Sequence, residues 1–325
     1  MSGSLDGIEC FLAKAGWGDA RVAPLPGDAS FRRYFRLSRP GAKTAMLMHA
    51  PPPHEDPRPF LAVARWLADN GLRAPHIIAE DAAAGWVLLE DFGDWRLREW
   101  LDAHPDDETG LYERAVDTLV ALHRLEPAPF APYDLTEYQR EAGLFVEWFC
   151  PAKGLEVDVR GWRAAWDVAL APVLTRQQPG VTVLRDYHAE NIMLPHDGTQ
   201  GLIDFQDAMV GHPAYDLVSL LQDARRDVAP MIERAMLDRY VAAAQPGGEF
   251  EADFAVLGAQ RNAKIVGIFT RLAKRDGKPR YLELIPRVWA LIERDLAHSA
   301  LKPVATWFAE NIPQAVRMNV GGSIR

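Results

Sequence analysis

The chain has 325 residues, with 36 Lys and Arg against 45 Asp and Glu and a net charge of −9 at neutral pH. That balance argues against nucleic acid or an anionic membrane as partner, because both require clustered cations. Two cysteines, Cys10 and Cys150, suggest no disulfide framework; with no membrane-spanning apolar run and no secretory pattern, the expectation is a cytoplasmic protein.

The length allows two cores. Residues 5–16 alternate as an amphipathic helix that stops at Gly16. Residues 26–37 then run from a glycine-containing loop into an alternating strand. A loop of this kind presents backbone N–H groups and a hydroxyl to phosphate oxygens, and Gly27, Ser30 and one of Arg32 or Arg33 are its candidates. A second strand covers 44–50, with Lys43 at its solvated edge. After the proline-rich stretch 51–59, the spacing predicts a helix over 60–70 that ends at Gly71. An apolar strand from Trp86 stops at the charged and glycine residues 90–94. From about residue 95 the chain reads as mostly helical. Leu111, Ala115, Leu119, Leu122 and Leu125 make one buried stripe, and 138–149 adds Phe145, Trp148 and Phe149 on another.

Residues 184–207 carry the chemistry. Ile192–Leu194 and Gly201–Ile203 read as two short strands joined at Asp197-Gly198, an Asp-Gly turn signal. A hairpin brings its ends together, so Asn191 and Asp204 should stand side by side, with Asp186 a short loop away. An amide oxygen and a carboxylate at one rim suit Mg²⁺, which prefers hard oxygen donors. A second carboxylate, Asp186, is placed to orient and deprotonate an attacking hydroxyl. Phosphoryl transfer asks the protein for this positioning and charge compensation more than for covalent work. The sequence Asp-x₄-Asn, then an apolar strand and Asp-Phe, matches the catalytic and metal loops of kinase-like enzymes. Asp91-Phe92-Gly93 spells the same metal triplet but precedes Asp186, in the wrong order. Asp216 opens a further helix, where an aspartate commonly caps. Arg261, Lys264, Arg271 and Lys274 recur along one helix as a solvated basic face, which could also steer an anionic substrate.

These motifs resemble the aminoglycoside phosphotransferase and choline kinase-like superfamily. The resemblance implies an α+β, two-lobe protein-kinase-like fold. Residues 1–93 would form the nucleotide-binding lobe, and 94–325 the catalytic and substrate-binding lobe. It implies ATP and Mg²⁺ as cofactors and a small-molecule sugar or amino-alcohol as partner. Asp186 would be the base, and Asn191 and Asp204 the metal ligands. Gly27, Ser30 and Arg32 would meet the nucleotide phosphates. Backbone groups near Glu90 and Phe92 would meet the adenine, as in the superfamily's hinge. Glu190, Gln206, Asp207 and Arg271 are acceptor-side candidates; Arg185, His188 and Asp216 support the loop. Only eleven residues separate Asp204 from Asp216, too few for a phosphorylated activation loop, which favours a small-molecule kinase over a protein kinase.

The chain departs from the pattern in two places, of which the first is Leu184-Arg185 ahead of Asp186, where the superfamily usually has His-Gly. Kinase-like folds carry a lysine in the strand after the glycine loop, whereas Met46-Leu47-Met48-His49 has none. Either an arginine such as Arg32 substitutes, or metal and backbone contacts bear more of the nucleotide. Longer stretches, including Gly-Asp-Ala-Ser-Phe-Arg-Arg-Tyr and Arg-Leu-Ala-Lys-Arg-Asp-Gly-Lys-Pro, are similar to a bacterial branch of anomeric sugar kinases. That branch phosphorylates C1 of N-acetylmuramate and N-acetylglucosamine in peptidoglycan recycling. Another acceptor, such as an aminoglycoside, choline or a small alcohol, and a nucleotide-binding pseudokinase without turnover are the alternatives. A metallohydrolase lacks a histidine ligand cluster to support it.

Overall fold

The computed structural model describes residues 7–26, 31–41 and 44–321. Gly27, Ser30 and Lys43 lie outside the described residues. The chain divides into two compact units, one of residues 1–100 with 190–207, the other of 101–189 with 208–325. The segment 190–207 therefore groups with the first hundred residues, where chain order alone placed it after the break at 93.

The first unit is built on an antiparallel sheet in the order β1-β2-β3-β5-β4. Its strands are β1 (Arg21–Pro24), β2 (Arg33–Ser38), β3 (Ala45–His49), β4 (Ile77–Asp81) and β5 (Trp86–Glu90). Alternation along β2 exposes Arg33 and buries Phe35 and Leu37, as a two-residue period requires. Register pairs Phe35 with Leu47 and Leu47 with Leu88, so one face gathers Phe35, Leu37, Ala45, Leu47, Trp86 and Leu88. Helix α1 (Ile8–Lys14) covers that face with Phe11 and Leu12. Helix α2 (Arg58–Asp69) buries Phe60, Leu61, Val63, Ala64 and Leu67, and ends before Gly71 at φ 77°.

Strands β7 (Ile192–Met193) and β8 (Gly201–Leu202) form the expected hairpin. Gly201 is required there, because a Cβ would lie 2.5 Å from the Phe92 ring. The turn is pinned by Asp197, whose carboxylate accepts from Thr199 N at 3.0 Å and from Arg73 at 3.2 Å. The early triplet is structural: Asp91 is buried against Arg36 at 2.8 Å, and Phe92 is buried beneath the Arg73 guanidinium.

Helix α3 (Leu97–Ala103) contains the boundary between units. The second unit is helical: α4 (Glu108–His123), α5 (Leu135–Leu144), α6 (Cys150–Ala152), α7 (Val159–Arg176), α8 (Ala214–Leu221) and α9 (Pro230–Ala244). Then follow α10 (Phe250–Lys274), α11 (Ile285–Leu296), α12 (Lys302–Asn311) and α13 (Gln314–Arg317). A short ladder of β6 (Val181–Val183) and β9 (Met209–Gly211) accompanies them. Leu111, Ala115, Leu119 and Leu122 form the buried stripe of α4 as expected, while Leu125 falls past its end.

The helix expected over 138–149 is α5 followed by a π-helical turn, Phe145–Phe149. Phe145 and Phe149 stack in the core with Trp162 and Trp289, and Trp148 is left half-buried. Helix α10 crosses here at Gly267, where a Cβ would stand 2.3 Å from the Leu144 carbonyl carbon. Because the clash is with backbone, Gly267→Ala is expected to destabilise the protein by about 1–3 kcal/mol, read as a lower urea midpoint with an unchanged slope. Among the described residues no helix is long and apolar enough to cross a membrane.

Candidate functional site

In the first unit, the hairpin does for Asn191 and Asp204 what the spacing predicts. Ile203 N donates to the Asn191 carbonyl at 3.1 Å, extending the ladder by one step on the open side. The side chains consequently meet, Asn191 Nδ2 to Asp204 Oδ2 at 3.4 Å. Asp204 adopts a left-handed φ of 59°. The next residue, Phe205, is buried and stacks on Phe60 of α2 at 5.1 Å. That anchor fixes the chain direction, so Asp204 turns outward with its side chain half exposed.

Gln206 Nε2 donates to Asp204 Oδ1 at 3.1 Å, and Arg32 Nη1 lies 3.9 Å from the same oxygen. Asp207 is exposed beside Gln206. Glu190 is ion-paired with Arg98. Glu90 is engaged through backbone and side chain alike: its N–H donates to the His76 carbonyl at 2.9 Å, and its carboxylate accepts from Arg73 at 2.6 Å and from His76 N at 3.2 Å.

The donor chemistry fits a hard cation. Asp204 offers carboxylate oxygens, and a half-turn of the Asn191 amide presents its oxygen where the nitrogen now sits. Among the described residues no group of three or more His, Cys, Asp or Glu could hold a metal ion. Mg²⁺ takes one or two protein ligands and keeps water and phosphate oxygens for the rest, so the Asn191 and Asp204 oxygens are a sufficient donor set for it.

In the second unit, β6 leads into the loop that carries Asp186. Asp216, fully buried, does not cap α8: its carboxylate accepts from Leu184 N at 2.6 Å and Arg185 N at 2.8 Å. The cap expected from its position is replaced by a brace across the loop. Burial pushes this carboxyl up to about 7, against the pull of those two N–H groups. Arg185 takes a left-handed φ of 70°, lies over the Tyr133 ring and ion-pairs with Glu141. His188 is buried near Arg225, and burial first of all pushes its imidazole down to about 4, so the ring is neutral at pH 7.

The Asp186 side chain remains 40% exposed, with Arg261 Nη2 3.9 Å from Oδ1. Desolvation opposes its charge, but the surrounding cations, Lys264 and Arg261 foremost with Arg185 beside them, outweigh it and hold the carboxyl below the usual aspartate range. The expected solvated basic face does not exist at these two positions. Arg261 and Lys264 are buried, and Lys264 Nζ sits 2.7 Å from Glu141, itself 1% exposed. Periodicity hid this because the counter-charge lies over a hundred residues upstream. One signal was available: Glu141 stands on the apolar side of α5 with Tyr138, Ala142 and Phe145, where a lone carboxylate needs a buried cation. Farther along α10, Arg271 is half-buried and Lys274 exposed.

The geometry supplies an ionised, accessible carboxylate in one unit and a hard-oxygen pair in the other. Residues 21–254 match the phosphotransferase enzyme family. An N-acetylmuramate/N-acetylglucosamine kinase of Caulobacter vibrioides is 38% identical over 94% of this chain and 96% of its own. The enzyme of that name from Pseudomonas aeruginosa is 39% identical over 89% of this chain and 88% of its own. Among solved structures, the choline kinase LicA of Streptococcus pneumoniae superimposes with a TM-score of 0.61 at 14% identity, covering 88% of this chain and 93% of that one. The ADP-bound aminoglycoside phosphotransferase APH(2'')-Ib gives 0.58 at 14% identity, over 89% and 97%. The resemblance read from the motifs is thus borne out, and so is the protein-kinase-like fold. The chain belongs to the phosphotransferase enzyme family.

Proposed function

We propose that the protein is a sugar kinase that transfers the γ-phosphoryl group of ATP to the C1 hydroxyl of N-acetylmuramate or N-acetylglucosamine. The observation that carries this reading is the division of labour among the acidic groups. Asp186 is accessible and held ionised by the cations around it, Lys264 and Arg261 foremost, while Asp204 is paired with an amide. In this reading Asp186 accepts the proton of the attacking hydroxyl as its oxygen bonds to phosphorus and the bond to ADP breaks. Asn191 and Asp204 hold Mg²⁺, which when bound offsets charge on the phosphate oxygens. Arg32 meets those phosphates, together with Gly27 and Ser30 of the preceding loop. Backbone groups around Glu90 and Phe92 take the adenine, within the limits set by Glu90's existing bonds.

Support for an N-acetylated sugar comes from the names of the relatives, which match this chain over most of its length. Support for an anionic one comes from Arg271 Nε and Trp148 Nε1. Both are buried donors with no hydrogen-bond partner among the described residues. Burial leads the effects that lower the Arg271 guanidinium from its usual range, and an incoming carboxylate would relieve it. Gln206 and Asp207 are left to hydroxyls of the acceptor. Glu190, tied to Arg98, supports the hairpin.

Phosphorus NMR of the products from ATP, Mg²⁺ and a mixture of both N-acetylated sugars, an aminoglycoside and choline tests the proposal. A phosphomonoester coupled to an anomeric proton, with stoichiometric ADP, is the expected result. Phosphorylation of the aminoglycoside or choline alone overturns it, as does nucleotide binding without any product.

A further inference from the structure

Residues 90–94, where β5 ends, are gripped by two arginines. Arg73 takes Glu90 and Phe92: its guanidinium donates to both Glu90 carboxylate oxygens, at 2.7 and 2.6 Å, and lies over the Phe92 ring at 4.7 Å. Arg36, in the middle of β2, takes the rest. Its Nε stands 2.8 Å from Asp91 Oδ2 as an ion pair, and its Nη2 donates to Asp91 Oδ1 at 3.2 Å and to the Gly93 carbonyl at 3.1 Å. Its Nη1 is paired with Asp94. Asp91 Oδ1 also accepts from Gly93 N at 3.0 Å, closing a tight turn in which Gly93 holds a left-handed φ of 89°. The Asp91 side chain is 2% exposed and that of Arg36 26%, so the lock is set into the protein and not laid on its surface.

The Glu90 N–H is taken by His76, and both backbone polar groups of Gly93 are taken, by Arg36 and Asp91. The peptide between Asp91 and Phe92 is therefore held between two pinned ends, in the stretch whose backbone is read above as meeting the adenine. We propose that Arg36 is a positioning residue for the nucleotide base: by tying Asp91, Gly93 and Asp94 together, it fixes the direction in which the backbone of residues 91–92 presents its polar groups. This rests on the nucleotide reading above. A planar fork suits the task, since acceptors in different directions need several N–H groups held in one plane. A lysine ammonium on its flexible stem would settle against the Asp91 carboxylate instead. Direction matters because a hydrogen bond to a base weakens steeply once it is misaligned.

Calorimetric titration with ADP and, separately, with adenosine, alongside hydrogen exchange of the segment, tests the role. Arg36→Lys keeps a cation beside the buried Asp91, so the thermal midpoint should stay within about 3 °C. Amide protection across residues 90–95 should fall. ADP and adenosine should both bind about 5- to 10-fold more weakly, because the charge-assisted contact that is lost sets the base side of the site. The KM for the acceptor should stay within about twofold. Asp91→Asn keeps an acceptor for Gly93 N and removes the ion pair. It should weaken both ligands too, and the double variant should weaken them by less than the product of the separate effects. Wild-type affinity for adenosine in both variants overturns the positioning role, whether or not ADP is weakened, and so do effects that multiply in the double variant. An unaltered protein that binds ADP but no adenosine at millimolar concentration overturns it as well. If the unaltered protein binds neither, it is the nucleotide reading that fails.

Discussion

Asp186→Ala is expected to lower turnover by about 10²–10⁴-fold, the usual contribution of a positioned acid–base group. ADP affinity should stay close to that of the unaltered protein, because in the proposed role the carboxylate acts on the acceptor hydroxyl in the transition state and not on the nucleotide. Turnover of the variant within a few-fold of wild type would remove Asp186 from the role of base. The pH profile gives a second check. With Lys264 and Arg261 outweighing desolvation, the carboxyl ionises below the ordinary aspartate range. A group whose native pKa is depressed keeps its charged form until the pH falls through that lowered value. The acid limb of kcat/KM should therefore lie below about 3.9, with no loss assignable to this group between neutrality and that point. A limb set by Asp186 near pH 6 would mean that the two cations do not govern it.

Glu141→Ala is expected to cost about 3–5 kcal/mol of stability, measured by urea unfolding at pH 7. Glu141 is almost fully buried and partners Lys264, Arg185 and the Tyr133 hydroxyl. Truncating it removes the principal counter-charge of two interior cations, and the penalty is their desolvation rather than the worth of any one bond. The same change should reduce turnover, because Arg185 immediately precedes Asp186 and holds its left-handed backbone partly through Glu141. Replacing Glu141, Arg185 and Lys264 together by methionine should recover much of the stability and little of the activity. A single Glu141→Ala variant as stable as wild type would show that the cluster is solvated.

The hairpin that brings Asn191 and Asp204 together was legible because its signals are local. Asp-Gly between two short apolar runs specifies a hairpin, and a hairpin specifies that Asn191 and Asp204 meet. Strands β2, β3 and β5 and helices α1 and α2 of the first unit followed from two-residue and 3.6-residue periods, with shifted ends, while β1 and β4 were not anticipated. What stayed hidden depends on partners distant in the chain. Arg261 and Lys264 looked like a solvated stripe because periodicity reports spacing and not the charge across the interface. Asp216 sits where a helix cap is common, yet its acceptors are used by Leu184 and Arg185, thirty residues earlier. The π-helical turn at 145–149 has no composition of its own; it appears where α10 presses on Leu144 at Gly267.

Asp204 holds a backbone angle that glycine enters without penalty and most other residues resist. Swapping it for glycine would relax the chain and erase the acid in a single codon's drift. On the reading proposed above, in which Asp204 holds Mg²⁺, descendants with an intact hairpin and a glycine there would mark where phosphoryl transfer was given up.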